Sequence, residues 1–514
     1  MRQLKDLRPI ITYELHGFRN LLSVDVLIAL MTGVVAGIII GALPGMGANL
    51  ATTLLLPITF AMKPVAGLVM LTAVYTSTVY GGSITAVLLH TPGTAASAAT
   101  AIDGFELTKQ GRGMTAVGAA TIGSSIGGAF SALALLFLAR PLADISLRFG
   151  PLEFFLVGVF GLTIISSLSG KSPTKGLISA VIGLLLGTVG LDAELGVPRF
   201  TFGNLYLQDG LTPAAVLMGL FSVSQILKNI EAIAANKQTI VDDPKKAMRG
   251  SIFPTREEMR DSRRTIVRSS ILGVIIGIIP AAGATIGSWI GYNEAKKHSR
   301  HPEMFGKGSI EAIFASETAN NAVTGGALIP MMALGIPGSG STAIILGGFL
   351  IHGLSTGYSL FSKTGDYAYS IIAGFLAANI LMGILGLLFA KYAAMLAIVP
   401  MSILLPLVIA IASMGAFAVK NRGIDVIVML IAGGLGYFMR KTDFEIPPMV
   451  LGVILSSLIE SNISRAVTLS KGHMVIYFFS RPIAVIIMIL ILASLFWPAI
   501  QSRLDHKKKA DCGD

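Results

Sequence analysis

Long apolar runs separated by short polar stretches set the pattern of this 514-residue chain. The stretches 21–43, 114–139 and 474–499 each reach the roughly 20 apolar residues that a helix needs to cross the hydrocarbon core of a bilayer. About a dozen such crossings fit the chain, so the pattern predicts an all-α integral membrane protein. The opening segment carries Arg2, Lys5, Arg8 and Arg19. The run behind it is too long for the core of a signal peptide and no small-residue cleavage site follows, so it reads as an uncleaved first span. One long polar stretch, 228–268, divides the chain. The expected organisation is a cytoplasmic N-terminal segment (1–20), a first membrane repeat (21–227), a basic cytoplasmic linker (228–268), a second membrane repeat with further spans (269–500) and a cytoplasmic tail (501–514).

Composition strengthens that picture. Hydrophobic residues make up 53% of the chain and charged residues 13%, against about 25% charged in an ordinary soluble domain. Lys plus Arg exceed Asp plus Glu by 39 − 28 = 11, but the excess sits in three places: 1–20, the linker (Lys245, Lys246, Arg249, Arg256, Arg260, Arg263, Arg264, Arg268) and the tail (Lys507, Lys508, Lys509). In a membrane protein such clusters report topology rather than nucleic-acid binding, and the positive-inside rule places all three in the cytoplasm. The stretch 192–210, with Asp192, Glu194 and Asp209 against Arg199, is expected outside. Cys512 is the single cysteine, which excludes a disulfide framework and a structural zinc site.

Glycine accounts for 58 of 514 residues and is concentrated inside the apolar runs. Non-helical backbone at membrane depth is tolerated only where protein or a water-filled cavity surrounds it, so proline and glycine there mark candidate cavities. Gly37, Gly41, Pro44 and Gly47 recur as Gly273, Gly277, Pro280 and Gly283, each displaced by 236. Gly81-Gly82 followed by Pro92-Gly93-Thr94 is echoed by Gly325-Gly326 followed by Pro337-Gly338-Ser339, with one residue of difference in the spacer. The chain therefore reads as two internal repeats, each with two re-entrant or broken helices. Paired interruptions of this kind point to a secondary-transporter site near the midplane. New helix N-termini there favour anions, while unwound carbonyls with hydroxyls and amides suit sodium. The candidate substrate-binding residues are Pro44, Gly45, Gly47, Asn49, Pro92, Gly93, Thr94, Pro280, Gly283, Pro337, Gly338 and Ser339.

Glu317, Asn320 and Asn321 are spaced to share one helical face. An ionisable residue inside a span is a functional candidate, so Glu317, Asn320, Asn321 and Ser83 form the expected ion-coupling set. Glu317 has two readings, an ion or proton carrier and an anchor for the helix break. A capping role competes with ligation at Asn49, as does a turn role at Asp103. His90 reads as a structural residue at a helix end ahead of a proton relay. No HExxH, GxSxG or Walker A pattern occurs, so the chain is not expected to be an enzyme, and no cofactor is expected beyond a coupling sodium ion or proton.

The stretches LPGMGANLATTLLLPITF (43–60), YGGSITAVLLHTPGTAASAATAIDGFELTKQGR (80–112) and FGKGSIEAIFASETANNAVTGGALIPMMALGIPGSGSTAIILGG (305–348) resemble the large permease subunit of the tripartite tricarboxylate transporters. The resemblance covers most of residues 20–400. It implies a multi-pass permease of the bacterial inner membrane that imports a carboxylate, working with a small four-span membrane subunit and a periplasmic substrate-binding protein. The family motif positions fall at Pro44, Gly45, Gly47, Pro92, Gly93, Thr94, Asn320, Asn321, Pro337, Gly338 and Ser339. The chain departs from the pattern at His90, Ala281, Thr285 and 354–357. The first and third put the substrate and coupling ion in question but not the class. The runner-up is a stand-alone carboxylate carrier or exporter. Because the site reads as neutral and glycine-rich, capture of dilute substrate is expected to need the receptor, docked partly on the acidic stretch 192–210. Both repeats start just after basic stretches, which read literally gives parallel repeats, but inverted repeats are the expectation, because transporters with broken helices are often inverted, long loops carry less topological weight and basic residues can lie on surface-bound helices.

Overall fold

The computed structural model describes residues 17, 19–43, 45–168, 172–192, 196–234, 251–280, 282–396 and 401–495. Pro44, Glu194, Ala281 and Cys512 lie outside the described residues, as do the N-terminal segment through residue 16, positions 235–250 of the linker and the tail. Among the described residues, seven helices are long and apolar enough to span a membrane, and six more apolar helices of 10–17 residues accompany them.

The first repeat holds α1 (Val24–Ala42), α2 (Ala48–Thr59), α3 (Pro64–Leu89), a 3-10 turn (Ala95–Ser97) running into α4 (Ala98–Lys109), and α5 (Gly113–Ile145). Next come α6 (Pro151–Leu168), α7 (Pro173–Gly187) and a minimal antiparallel pairing of Gly190–Leu191 with Pro198–Arg199. α8 follows, built from Pro213–Met218, a π-helical turn at Gly219–Val223 and Ser224–Ala234. The second repeat holds α9 (Arg256–Ile278), α10 (Gly283–His298), α11 (Ile310–Leu334), α12 (Gly340–Ile351) and α13 (Gly365–Leu396). α14 (Met401–Lys420), α15 (Gly423–Lys441), α16 (Ile446–Ser470) and α17 (Pro482–Leu495) complete the described chain. The apolar run 474–499 is not one span. A short helix, Met474–Phe479, ends before Arg481-Pro482, where Arg481 Nε reaches the buried Glu153 of α6 at 2.5 Å. Pro482 supplies no N–H to continue the ladder, and the ion pair satisfies the arginine.

The helices break at the four expected places, between α1 and α2, α3 and α4, α9 and α10, and α11 and α12. Each break is held by glycine packing. A Cβ built on Gly41 would lie 2.4 Å from the Thr78 carbonyl oxygen, and one on Gly277 would lie 2.6 Å from that of Val323. A Cβ on Gly81 would meet Ile38 O at 2.5 Å, and one on Gly326 would meet Val274 O at 2.6 Å. α1 and α9 are thus related by the displacement of 236, and α3 and α11 by 245 (323 − 78 and 326 − 81). This corrects the sequence pairing. Gly81 corresponds to Gly326 and Gly82 to Ala327, so the spacer to Gly93 and Gly338 is equal in both repeats. Gly325 serves another contact, against Ser131 of α5.

The same contacts give direction. α1 runs parallel to α3, since Gly33 meets Met70 and Gly41 meets Thr78, and α9 runs parallel to α11 in the same way. α3 and α11 are antiparallel, with Thr76 bonded to Asn321 and Ser83 to Glu317. The repeats are therefore inverted. Thr76 and Asn321 are equivalent under the 245 displacement and touch each other, so the pseudo-two-fold axis passes between them. Inversion puts residues 17–25 and 256–268 at opposite ends of the bundle. The end that holds Asp25–Lys63 (3.0 Å) also holds Asp209–Lys420 (2.7 Å) and is here the loop end. The end with Arg112–Glu258 (2.7 Å) and Thr265–Glu311 is the linker end. The contacts thus agree with the inverted repeats expected of broken helices.

Candidate functional site

α1–α2 and α9–α10 are hairpins that enter from opposite ends and turn at mid-depth. Their tips use left-handed backbone at Gly45 (φ 77°) and Gly283 (φ 64°), a conformation that glycine adopts without a steric penalty. After each of the other two breaks the chain folds back against its own helix: Gly93 N–H donates to Gly82 O at 3.1 Å, and Gly338 packs on Ala327. Consequently the N-termini of α2, of the turn leading into α4, of α10 and of α12 all face one cavity of about 750 Å³.

Of the candidate residues, Gly45, Gly47, Asn49, Pro92, Gly93, Thr94, Gly283 and Ser339 line this cavity. Pro280, Pro337 and Gly338 are buried behind it, and Pro44 is outside the described residues. None of the four first turns carries an acidic residue, although acidic side chains are favoured there in isolated helices. Only the α12 terminus has a side-chain cap, from Ser339 Oγ to the Thr342 N–H at 3.2 Å. The other three leave backbone donors unmatched by a capping side chain. Asn49 Oδ1 accepts from Ser341 Oγ at 2.7 Å, and Tyr75 and Ser339 share a hydrogen bond of 3.2 Å across the cavity wall. These bonds tie the tip of the first repeat to the second.

Among the described residues, the lining also contains Lys228 of α8 and Arg440 of α15, and no Asp or Glu. The neutral cavity expected from the glycine pattern is therefore corrected to a cationic one. Sequence inspection missed both residues because they come from helices outside the broken segments. The available signal was the spacing Phe221, Gln225, Lys228, one helical face, and all three reach the cavity.

The expected ion-coupling residues divide into two clusters behind the cavity. Glu317 Oε1 accepts from Ser83 Oγ (2.6 Å), Thr100 Oγ1 (2.5 Å) and Asn320 Nδ2 (3.2 Å), and Oε2 accepts from Ser124 Oγ (2.8 Å). Asn320 Nδ2 also reaches Ala96 O at 3.4 Å, and Ala96 lines the cavity. Asn321 instead joins the axis cluster with Thr76, which donates to Asn379 Oδ1 at 2.8 Å. The Oδ1 atoms of Asn320 and Asn321 are buried without a hydrogen-bond partner among the described residues. His90 caps α3 in left-handed conformation (φ 50°) with its ring stacked on Phe105 at 4.6 Å. Asp103 holds the loop before α11 by accepting the N–H groups of Gly306, Gly308 and Ser309.

The chain matches the model of the family described as Tripartite tricarboxylate transporter TctA family over residues 27–451. It belongs to that family. The TctA match spans both repeats and all four breaks. The chain is 35% identical over 493 residues to the uncharacterized 52.8 kDa protein in the TAR-I ttuC' 3' region of Agrobacterium vitis, covering 95% of this chain and 97% of that one. It is 34% identical over 240 residues to an uncharacterized protein in the TAR-II ttuC' 3' region of the same organism, covering 46% of this chain and 98% of that one. No solved structure matches. As a TctA protein the chain is a multi-pass membrane permease of a tripartite transporter, a system with further subunits.

The acidic stretch expected to meet a partner is largely engaged within this chain. Asp192 pairs with Arg199 at 3.3 Å, Arg199 also pairs with Glu460, and Asp209 contacts Lys420 at 2.7 Å and Arg422 at 3.0 Å. The Lys420 hydrogen bond, with Arg422 nearby, holds the Asp209 carboxyl below the usual carboxylate range.

Proposed function

We propose that this chain is the permease of a bacterial inner-membrane system that imports a tricarboxylate or related organic carboxylate, driven by a sodium or proton gradient. The observation that carries the reading is the convergence of four helix N-termini, free of acidic residues, on one cavity. Such termini present oriented N–H donors and roughly half a positive charge each to an anion. A carboxylate sits between the two hairpin tips, against Gly45, Gly47, Asn49, Thr94, Gly283 and Ser339. Ser83, Glu317 and Asn320, one layer behind the turn at Ala95–Ser97, couple its binding to the ion. Hydroxyl and carbonyl oxygens suit a hard cation, and the unpaired Oδ1 of Asn320 is one such oxygen. Residues 251–268 of the linker and the end of α17 lie at one end of the bundle, and the basic charge of the linker supports a cytoplasmic placement of that end. A periplasmic binding protein then delivers substrate at the loop end, with the small four-span subunit completing the dock.

The test is uptake by proteoliposomes holding this chain, the small subunit and the binding protein, across a carboxylate panel with sodium and pH varied separately. Carboxylate uptake that requires the binding protein and one ion gradient is expected. Uptake that follows only the pH gradient transfers the coupling from sodium to protons. Full-rate uptake by the chain alone from dilute substrate identifies a stand-alone carrier instead.

A further inference from the structure

We infer that the two hairpins are unlike gates: Asn49 and Ser341 latch the tip of α1–α2 shut against α12, whereas α9–α10 is fastened at its base by Tyr292 and Asp103 and opens at its tip. The inference rests on the reading of this cavity as the transport site and adds how access to it is controlled. α2 and α12 leave the cavity side by side toward the loop end, and α10 and α4 leave it side by side toward the linker end. The displacements of 236 and 245 relate one pair to the other, so every contact in the first has an equivalent position in the second.

In the loop-side pair the polar bond is at the tip. The buried Ser341 Oγ donates to Asn49 Oδ1 at 2.7 Å, and the amide packs on the start of α12, where a Cβ built on Gly340 would come within 2.6 Å of Asn49 Nδ2. The equivalent positions in the linker-side pair are Thr285 and Ala96. Alanine has no polar side-chain atom, so no conformation of that pair supplies the bond, and Thr285 is exposed. Further from the cavity the arrangement reverses. Tyr292 OH donates to Asp103 Oδ2 at 2.8 Å, and Asp103 Oδ1 is fixed by the three N–H groups of the loop before α11. Their equivalents, Leu56 and Gly348, make only van der Waals contact, with a Cβ built on Gly348 lying 3.5 Å from Leu56 Cδ1. Apolar packing follows the same division. Met46 and Leu50 at the first tip share a buried cluster with Ile226 of α8 and Leu405 of α14. Among the described residues, Ile276 and Ala282 at the second tip cluster with Val323 of α11, a helix of their own repeat. Opening the cavity toward the loop end therefore requires the latch to break, and opening it toward the linker end breaks no equivalent bond. Ser341→Cys keeps a weak S–H donor to the same oxygen and leaves the latch formed.

In a Cys512→Ser background, Ala95→Cys places a reporter on the cavity wall outside the latch, and the full chain in sealed vesicles is treated with a membrane-impermeant maleimide from either side. With the latch intact, labelling should come mainly from the linker side. Asn49→Ala and Ser341→Ala should each raise labelling from the loop side by about threefold to tenfold, the equilibrium shift expected for one neutral hydrogen bond. Asn49→Asp, which keeps an acceptor for Ser341, should raise it less. Hydrogen exchange on the unsubstituted chain reads the same asymmetry without a mutation: amides of 287–290 should exchange roughly tenfold faster than their equivalents at 51–54. Loop-side labelling that stays at its starting level in both alanine variants, or equal exchange at the two tips, overturns the inference and leaves the permease reading standing. A reporter that neither side can reach overturns the cavity as the transport site, and the inference with it. If the alanine variants do not fold, exchange at the two tips decides alone.

Discussion

Glu317 is fully buried in α11, and its four donors come from α3, α4, α5 and α11 itself. It therefore joins elements as well as offering a charge. Glu317→Gln should lower stability by about 1–3 kcal/mol, because buried hydroxyls lose an acceptor matched to them, read as a thermal melt in detergent. If the carboxylate also couples the ion, the folded variant should exchange carboxylate across the membrane yet fail to concentrate it. Full gradient-driven accumulation by the variant would leave the carboxylate an anchor alone. Gly93 is closely packed at the second break of the first repeat, since a Cβ there would lie 2.0 Å from Gly41 O. Gly93→Ala should destabilise the chain by at least about 1–3 kcal/mol through overpacking. Gly347 of α12 has nothing within 4 Å of its would-be Cβ, so Gly347→Ala should instead stabilise by up to about 1 kcal/mol from helix propensity. Equal melting temperatures for the two variants would contradict this packing.

At the level of elements, the breaks could be read from the sequence because proline and glycine mark them locally and the repeat doubles the evidence. The direction of the repeats was harder to read. Basic residues flank both α1 and α9, and only the contacts of Thr76 with Asn321 and Ser83 with Glu317 fix the inversion. The one-residue misalignment of Gly81-Gly82 with Gly325-Gly326 arose because adjacent glycines look alike in sequence while one packs on α9 and the other on α5. Lys228 and Arg440 were hidden for a different reason. Their place in the lining depends on α8 and α15 packing near the hairpin tips, a long-range contact that no local pattern encodes. Inversion is directly testable because Cys512 is the single native cysteine. In a Cys512→Ser background, Lys63→Cys and Arg260→Cys should react with a membrane-impermeant maleimide from opposite sides of sealed vesicles. Labelling of both from the same side would restore parallel repeats.

Across the whole molecule, the cavity mouth lies toward the linker end. Phe221 and Tyr75 are buried deep in its wall, whereas Lys228, nearly two helical turns further along α8 toward the linker, is exposed. At the opposite end, Asp209 ties the loop before α8 to Lys420 and Arg422, between α14 and α15. On the proposed topology, with the linker in the cytoplasm, this is an inward-open arrangement, and under that proposal substrate delivered from the periplasm needs a change of state to reach the hairpin tips. Reversing Asp209 would break that tie as well as any dock, so loss of uptake in such a variant does not identify the receptor surface. Accessibility of the cavity does discriminate. In the Cys512→Ser background, a cysteine replacing Ser341 should be labelled at least several-fold faster from the cytoplasmic side when the chain is alone. Binding protein loaded with carboxylate, added outside with the ion gradient, should shift labelling toward the periplasmic side, since a ligand shifts an equilibrium only through its differential affinity for the two states. Equal labelling from both sides without partners would describe a pore, in which the broken helices line a continuous path and no alternation is needed.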